Sequence, residues 1–284
     1  GPAQIGALES LNALISGDAG PLTLVMREIR LPRAVLAIMV GASLGLAGAA
    51  MQGYLRNPLA EPGLIGVSGS AALGAVISIQ TGLAATVALG LPIMALSGAL
   101  LGVVLVVTLA GPRGSSLTLI LAGIAISALA AALTSLVLNL SPNPFAANEI
   151  VFWMMGSLAD RSMTHVWIAL PFMAVGWVML ATLGRGLDAL TLGEDAAGAM
   201  GIGLARLRLT LILGTASVVG AATAVAGAIG FVGLVVPHIL RPFVGAQPSR
   251  LLWAAALGGA IMVLAADIAV RLILPDRDLK LGVV

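Results

Sequence analysis

The chain of 284 residues has no cysteine, one lysine and two histidines, and only 9% of its residues are charged. The missing cysteine excludes disulfides, thiol catalysis, iron–sulfur clusters and Cys-based metal sites. The solitary Lys280 is followed by leucine and preceded by no glycine loop, so no P-loop can be written and nucleotide is not bound that way. The histidines, His165 and His238, fall short of the three or four clustered ligands that zinc wants. No Ser/His/Asp set is credible. The scarcity of charge excludes most. Soluble domains carry about 25% charged residues, and 9% cannot cover the water-facing surface of a body this size. A soluble enzyme and a disordered tail both drop out. The net charge of +2 rests on too few residues to indicate nucleic acid.

What is present is apolar: 60% of residues are hydrophobic, and 36 are glycine. Apolar runs are long and show no period of two, which favours helices over barrel strands. Charge-free runs place the spans, because a lipid-facing charge costs several kcal/mol. One span fits 34–55. Two fit 62–112, with a turn at Thr81-Gly82. One ends near Asn139, before the turn Ser141-Pro142-Asn143-Pro144. One fits 162–184. A full span and a shorter one fit 209–240, broken around Gly227, Gly230 and Gly233. The last runs from Leu251 to about Ile273. The expected fold is an all-α polytopic membrane protein of about eight visible helices, a single transmembrane domain over 1–284. Residues 3–29 hold no run long enough to span. Gly41/Gly45 and Gly98/Gly102 are small-xxx-small pairs that let helices approach closely. Lys and Arg do not set the orientation: of 14, seven (Arg56, Arg113, Arg185, Arg206, Arg208, Arg241, Arg250) fall at one set of helix ends and seven at the other.

Several polar stretches stand out. Arg30-Leu-Pro-Arg33 precedes the first span, as interfacial anchors or as a positive docking patch. Gln52 and Arg56-Asn-Pro-Leu-Ala60 follow it. Between two later spans lies 185–203, where Glu194 and Asp195 fall in the first turn of a predicted short helix and complement its dipole. This is either a surface loop or a helix that docks in a partner's groove. His238 and Arg241 share a helix face beside Pro237. Asp267 is the one acid well inside a run, and Arg271 one turn on can neutralise it.

These strings, with Trp153-Met-Met-Gly-Ser-Leu158, Leu192-Gly-Glu-Asp195 through Met200-Gly201, and Gly230-Phe-Val-Gly-Leu-Val-Val-Pro-His-Ile-Leu-Arg241, resemble the membrane permease subunit of type II ABC importers, the FecCD-type family for iron–siderophores, haem and cobalamin. The resemblance spans about 27–284. It implies ten transmembrane helices, the first and last lying outside the sequence shown, in a homodimer within a bacterial inner membrane. It implies two ABC ATPase subunits that hold ATP and magnesium, and a periplasmic binding protein; this chain itself would hold no cofactor or metal. Residues 1–29 would be periplasmic. Residues 185–203 would be the cytoplasmic coupling helix, with Leu192, Gly193, Glu194, Asp195, Ala197, Met200 and Gly201 as its contact core. Arg30, Arg33 and Arg271 would dock the binding protein. The stretch 149–162 is most similar to the haem-importing branch, with Arg161, His165 and Met155 as possible cargo contacts. Ferric-siderophore or cobalamin import is the alternative within the family. An ion-coupled secondary transporter is the alternative of another class; it would need paired intramembrane acids or inverted repeats, and neither is evident in the sequence.

Overall fold

The computed structural model describes residues 6–16, 20–87, 89–111, 115–141, 144–273 and 280–283, and among these no strand occurs. Arg113, Pro142, Asn143 and Arg277 lie outside the described residues. After α1 (Ala7–Ser16), a short α2 (Pro21–Leu24) runs through a π-helical stretch (Val25–Arg30) into α3 (Leu31–Leu55). A 3-10 turn (Pro62–Ile65) leads to α4 (Val67–Gln80), α5 (Leu83–Thr86), α6 (Gly90–Ala110) and α7 (Ser116–Asn139). Then come α8 (Pro144–Met154), α9 (Met163–Ala181), α10 (Gly184–Leu190), α11 (Glu194–Ala199), α12 (Leu204–Ala226), α13 (Val232–Leu240) and α14 (Pro248–Ile273). Six helices are long and apolar enough to cross a membrane, and two shorter apolar helices, Val67–Gln80 and Val232–Val244, join them. The chain is a multi-pass membrane protein, and these eight match the spans expected from the charge-free runs.

Two boundaries differ from expectation. The first long helix starts at Pro21, not Ala34, so Arg30 and Arg33 lie within a continuous 35-residue helix. Pro32 lacks an N–H and crowds the carbonyl four residues back; the wider π turns just before it absorb that mismatch. Arg27 Nη2 donates to the Leu14 carbonyl at 2.7 Å and ties this extension to α1. The second difference is α8, which begins at Pro144. Proline is tolerated at a first helical turn, so this Pro starts a helix where the sequence suggested only a turn.

Close backbone approach holds the bundle together. Gly41 and Gly45 on α3 meet Gly259 and Ala255 on α14, and a Cβ at either α3 glycine would collide with a carbonyl oxygen of α14. The same holds where Gly74 and Gly98 join α4 to α6. Lipid supplies no hydrophobic drive between helices, so such van der Waals contact carries the association. Gly45→Val is therefore expected to force α3 and α14 apart. Overpacking of this kind costs about 1–3 kcal/mol, and the yield of folded protein in detergent should fall accordingly; a normal yield and melting temperature would show that the helices can separate at no cost.

Candidate functional site

The two ends of the bundle carry different chemistry. At one end α9 finishes and the chain turns through α10 and α11 before α12 starts. Gly193 (φ +103°) and Gly201 (φ +83°) flank α11, with no atom near where a Cβ would stand. Positive φ lets the chain reverse twice within a few residues, so α11 projects as a knuckle. Leu192 is 69% and Met200 61% exposed, although both are large and apolar. Glu194 and Asp195 are exposed beside them, and Gly193 and Gly201 form the hinges. Ala197 departs from the expected contact core: it is 0% exposed and packs into the bundle. The α11 helix needs a small residue there to seat against its neighbours, so Ala197 is the foot of the knuckle rather than part of its face.

Asp188 fastens this element to α14. Its Oδ1 accepts the Ser249 N–H at 2.9 Å and its Oδ2 the Gln247 Nε2–H at 3.1 Å. The carboxylate thus sits at the N-terminus of α14, where it satisfies a free N–H and complements the dipole. Burial pushes this carboxyl up, but the bonds from Ser249 and Gln247, with Arg250 nearby, hold it below its ordinary value. A depressed acid contributes stability above its unfolded value of 3.8, and that contribution is lost as pH falls through the lower folded value. Asp188→Ala should lose about 1 kcal/mol at neutral pH, the usual worth of such a cap. In melts across pH the gap between wild type and variant should close only in strong acid; a gap that persists unchanged there would exclude the carboxylate as its source.

Nearby, Gln52 is fully buried on α3. It accepts from Arg241 Nη2 at 2.7 Å and donates from Nε2 to the Leu234 carbonyl at 3.1 Å. Pro237 weakens the α13 ladder, and the amide of Gln52 serves a carbonyl on that same turn. Two motif strings noted separately in the sequence therefore form one polar joint. A second joint closes the break before α13. Glu61 Oε1 accepts the N–H of Phe231 at 3.3 Å, and Phe231 holds φ +63°. The two stretches outside the α-helices, 56–66 and 227–231, meet there around a cavity of about 120 Å³. Irregular backbone at membrane depth is tolerated only where protein buries it or a wet cavity meets it.

At the opposite end Asp267 is 0% exposed and carries both ion pairs found among the described residues. Arg271 Nη2 lies 2.8 Å from Oδ2, the expected i,i+4 pair. Arg33 Nε lies 2.7 Å from Oδ1, a partner across from α3 that the sequence did not reveal. Arg30 shares this end and donates from Nη1 to the Met26 sulfur at 3.8 Å. The structure thus joins Arg33 and Arg271 on one carboxylate, a short way from Arg30.

The segment before α9 is tied down by its own hydrogen bonds. Nδ1 of His165 accepts the Ser162 N–H at 3.2 Å, so one ring nitrogen already caps α9. The Met155 carbonyl accepts from Gly282 at 3.1 Å, and Gly156 accepts from Leu281 at 2.9 Å. Arg161 Nε is buried with no hydrogen-bond partner among the described residues. Burial lowers the pKa of its guanidinium, against the pull of Asp160.

A model of the FecCD transport family matches residues 1–284. The chain belongs to this family. Among FecCD relatives, the Bacillus subtilis (strain 168) protein YvrB, an uncharacterized ABC transporter permease protein, is 38% identical over 275 residues, covering 95% of this chain and 77% of that protein. The vitamin B12 import system permease protein BtuC of Salmonella typhi is 38% identical over 258 residues, covering 90% and 78%. A solved structure described as a metal-chelate type ABC transporter in an inward-facing conformation superimposes with a TM-score of 0.87 at 33% identity, covering 98% of this chain and 88% of that one. PsaBC from Streptococcus pneumoniae shares the fold at a TM-score of 0.60 and 16% identity. The FecCD chain is the permease subunit of a type II ABC importer, and the secondary-transporter alternative falls away.

Proposed function

We propose that this FecCD permease imports a metal chelate, with a corrinoid or ferric siderophore ahead of haem. The observation that carries this reading is the 38% identity to vitamin B12 permeases over 258 residues, beside the fold of a metal-chelate transporter at a TM-score of 0.87. The haem reading rests on 149–162 alone, and the His165 Nδ1 lone pair there is already engaged. Arg161 remains the cargo contact of choice: its unpartnered Nε suits an anionic group on the chelate. Met155 and His165 border the same segment.

In this reading the end with Arg185 is cytoplasmic and the end with Arg33 is periplasmic, in a bacterial inner membrane. Two copies form the pathway. The knuckle of Leu192, Gly193, Glu194, Asp195, Met200 and Gly201 sits in a groove of each ATPase subunit, where ATP and magnesium are held. Arg30, Arg33 and Arg271 receive acidic residues of a periplasmic binding protein, which gives register and on-rate. Between the ends, α14 is a rod of 26 residues, about 39 Å at 1.5 Å per residue. Asp188 ties its start to the knuckle element and Asp267 ties its finish to α3. Nucleotide-driven closure at one end can therefore tilt packed helices at the other as rigid bodies.

The test is uptake into proteoliposomes holding the full-length permease, its ATPase and its binding protein. Cyanocobalamin, a ferric siderophore and haem are supplied in parallel. ATP-dependent uptake of either of the first two, at least tenfold above haem, is expected. Uptake of haem alone would reverse the order of cargoes, and ATP-independent uptake would remove the importer reading.

A further inference from the structure

Just beside the knuckle lies a cleft of about 290 Å³ between the end of α9 and the start of α12. Arg185, Arg206, Thr182 and Thr210 line it, and the connecting stretch Gly201–Gly203 forms one wall. Both arginines are exposed, and neither side chain makes an ion pair or hydrogen bond with a described residue. The N-terminus of α12, whose N-cap Gly203 offers no side chain, adds its positive dipole end. The cleft therefore carries a positive potential.

One turn further along the same two helices the chemistry changes. A groove of about 540 Å³ opens, lined by Phe172, Val175 and Met179 of α9 and by Leu213 and Ala216 of α12, with α6 as its far wall. Residues 172, 175, 179 and 182 follow i, i+3, i+7, i+10 along α9, and 206, 210 and 213 follow i, i+4, i+7 along α12, so each set is a single helix face. Met179 to Thr182 and Leu213 to Thr210 are each three residues, about 4.5 Å of rise. Cationic cleft and apolar groove thus lie end to end along the same two helix faces and are taken together as one slot. Phe172, Val175 and Leu213 stay exposed within it.

We propose that this slot binds an anionic phospholipid. Arg185 and Arg206 grip the phosphate, for which the planar guanidinium fork is suited, and Thr210 lies within the same cleft. An acyl chain runs along Val175, Met179 and Leu213. A free phosphate would use the cleft but not the groove, and a water-soluble protein partner would reach the cleft at the bundle end but not an apolar groove along two spans. In the proposed topology this end is cytoplasmic, and basic pockets between transmembrane helices on that face bind lipid headgroups of this kind. Because Gly201–Gly203 wall the cleft, a bound headgroup braces the connection between α11 and α12. That functional consequence rests on the coupling reading of α11; the binding itself does not.

The experiment is native mass spectrometry of the full-length permease–ATPase complex, delipidated in detergent and titrated with phosphatidylglycerol, phosphatidylcholine or inorganic phosphate. Phosphatidylglycerol should be retained at least fivefold better than phosphatidylcholine. The double variant Arg185→Gln/Arg206→Gln should lose that preference, the double lysine variant should recover part of it because charge is kept, and Arg56→Gln at the same end should behave as wild type. Equal retention of both lipids, no recovery with lysine, or displacement of phosphatidylglycerol by equimolar phosphate would overturn the lipid assignment. So would a double glutamine variant that sheds the ATPase while keeping phosphatidylglycerol. Retention is read without ATP, so its failure is separate from a failure of coupling, which hydrolysis assays report.

Discussion

Asp267→Ala is expected to destabilise the protein by about 3 kcal/mol, the lower end of the 3–5 kcal/mol range for breaking a buried ion pair. The carboxylate is 0% exposed, while the side chains of Arg33 and Arg271 keep 18% and 28% of their surface. Water can therefore solvate part of each orphaned guanidinium, which is why the lower end applies. Asp267→Asn keeps the size and loses the charge, so it should be nearly as damaging. Arg271→Gln should cost less, because Arg33 Nε still neutralises Oδ1 at 2.7 Å. Thermal melts of the purified permease in detergent check the order Ala ≥ Asn > Gln at 271. An asparagine variant as stable as wild type would mean that the carboxylate charge does not join α3 to α14. In the proposed importer the same loss loosens the docking arginines, so binding-protein affinity should fall with it.

Glu194→Arg is expected to cut ATP-driven uptake at least tenfold while the permease itself stays folded. Glu194 is exposed at the first turn of α11 and makes no ion pair with a described residue, so folding has little stake in it. An interface, by contrast, feels the reversal: a like charge placed against its partner costs several kcal/mol, and about 1.4 kcal/mol already gives a tenfold loss of association. Co-purification of the ATPase and phosphate release per molecule imported are the readouts. Wild-type values of both would remove α11 from the coupling role.

Much of the fold was legible because the bilayer imposes a simple rule. Charge must leave the apolar runs, so those runs mark the helices, and Gly227 and Gly230 mark the short α13. The glycine pairs at 41/45 and 98/102 were legible for a like reason, since only small residues allow backbone contact. The errors came where local signals had two readings. Arg30-Leu-Pro-Arg33 reads as a segment that precedes the first span, yet the helix runs back through it to Pro21, with Arg27 bonded to the Leu14 carbonyl. The Pro-Asn-Pro sequence looked like a turn and nothing more. Of the site, the i,i+4 pair of Asp267 and Arg271 could be read, because helical spacing alone creates it. Arg33 to Asp267 spans 234 residues and Gln52 to Arg241 spans 189; no local rule connects such pairs. Asp188 is not legible, because a cap on a distant helix has no signature in its own segment. Ala197 is buried rather than on the contact face, and its sequence does not say so, because small residues on a short helix read alike whether they face a partner or the core.

The measurement that bears most directly on the central account is co-purification of the full-length permease with its ATPase, followed by ATP hydrolysis in nanodiscs with and without the loaded binding protein. The account predicts two permeases with two ATPases, and hydrolysis stimulated by the loaded binding protein in wild type but not in Glu194→Arg. A permease that purifies alone, or hydrolysis indifferent to both the binding protein and Glu194, would contradict it.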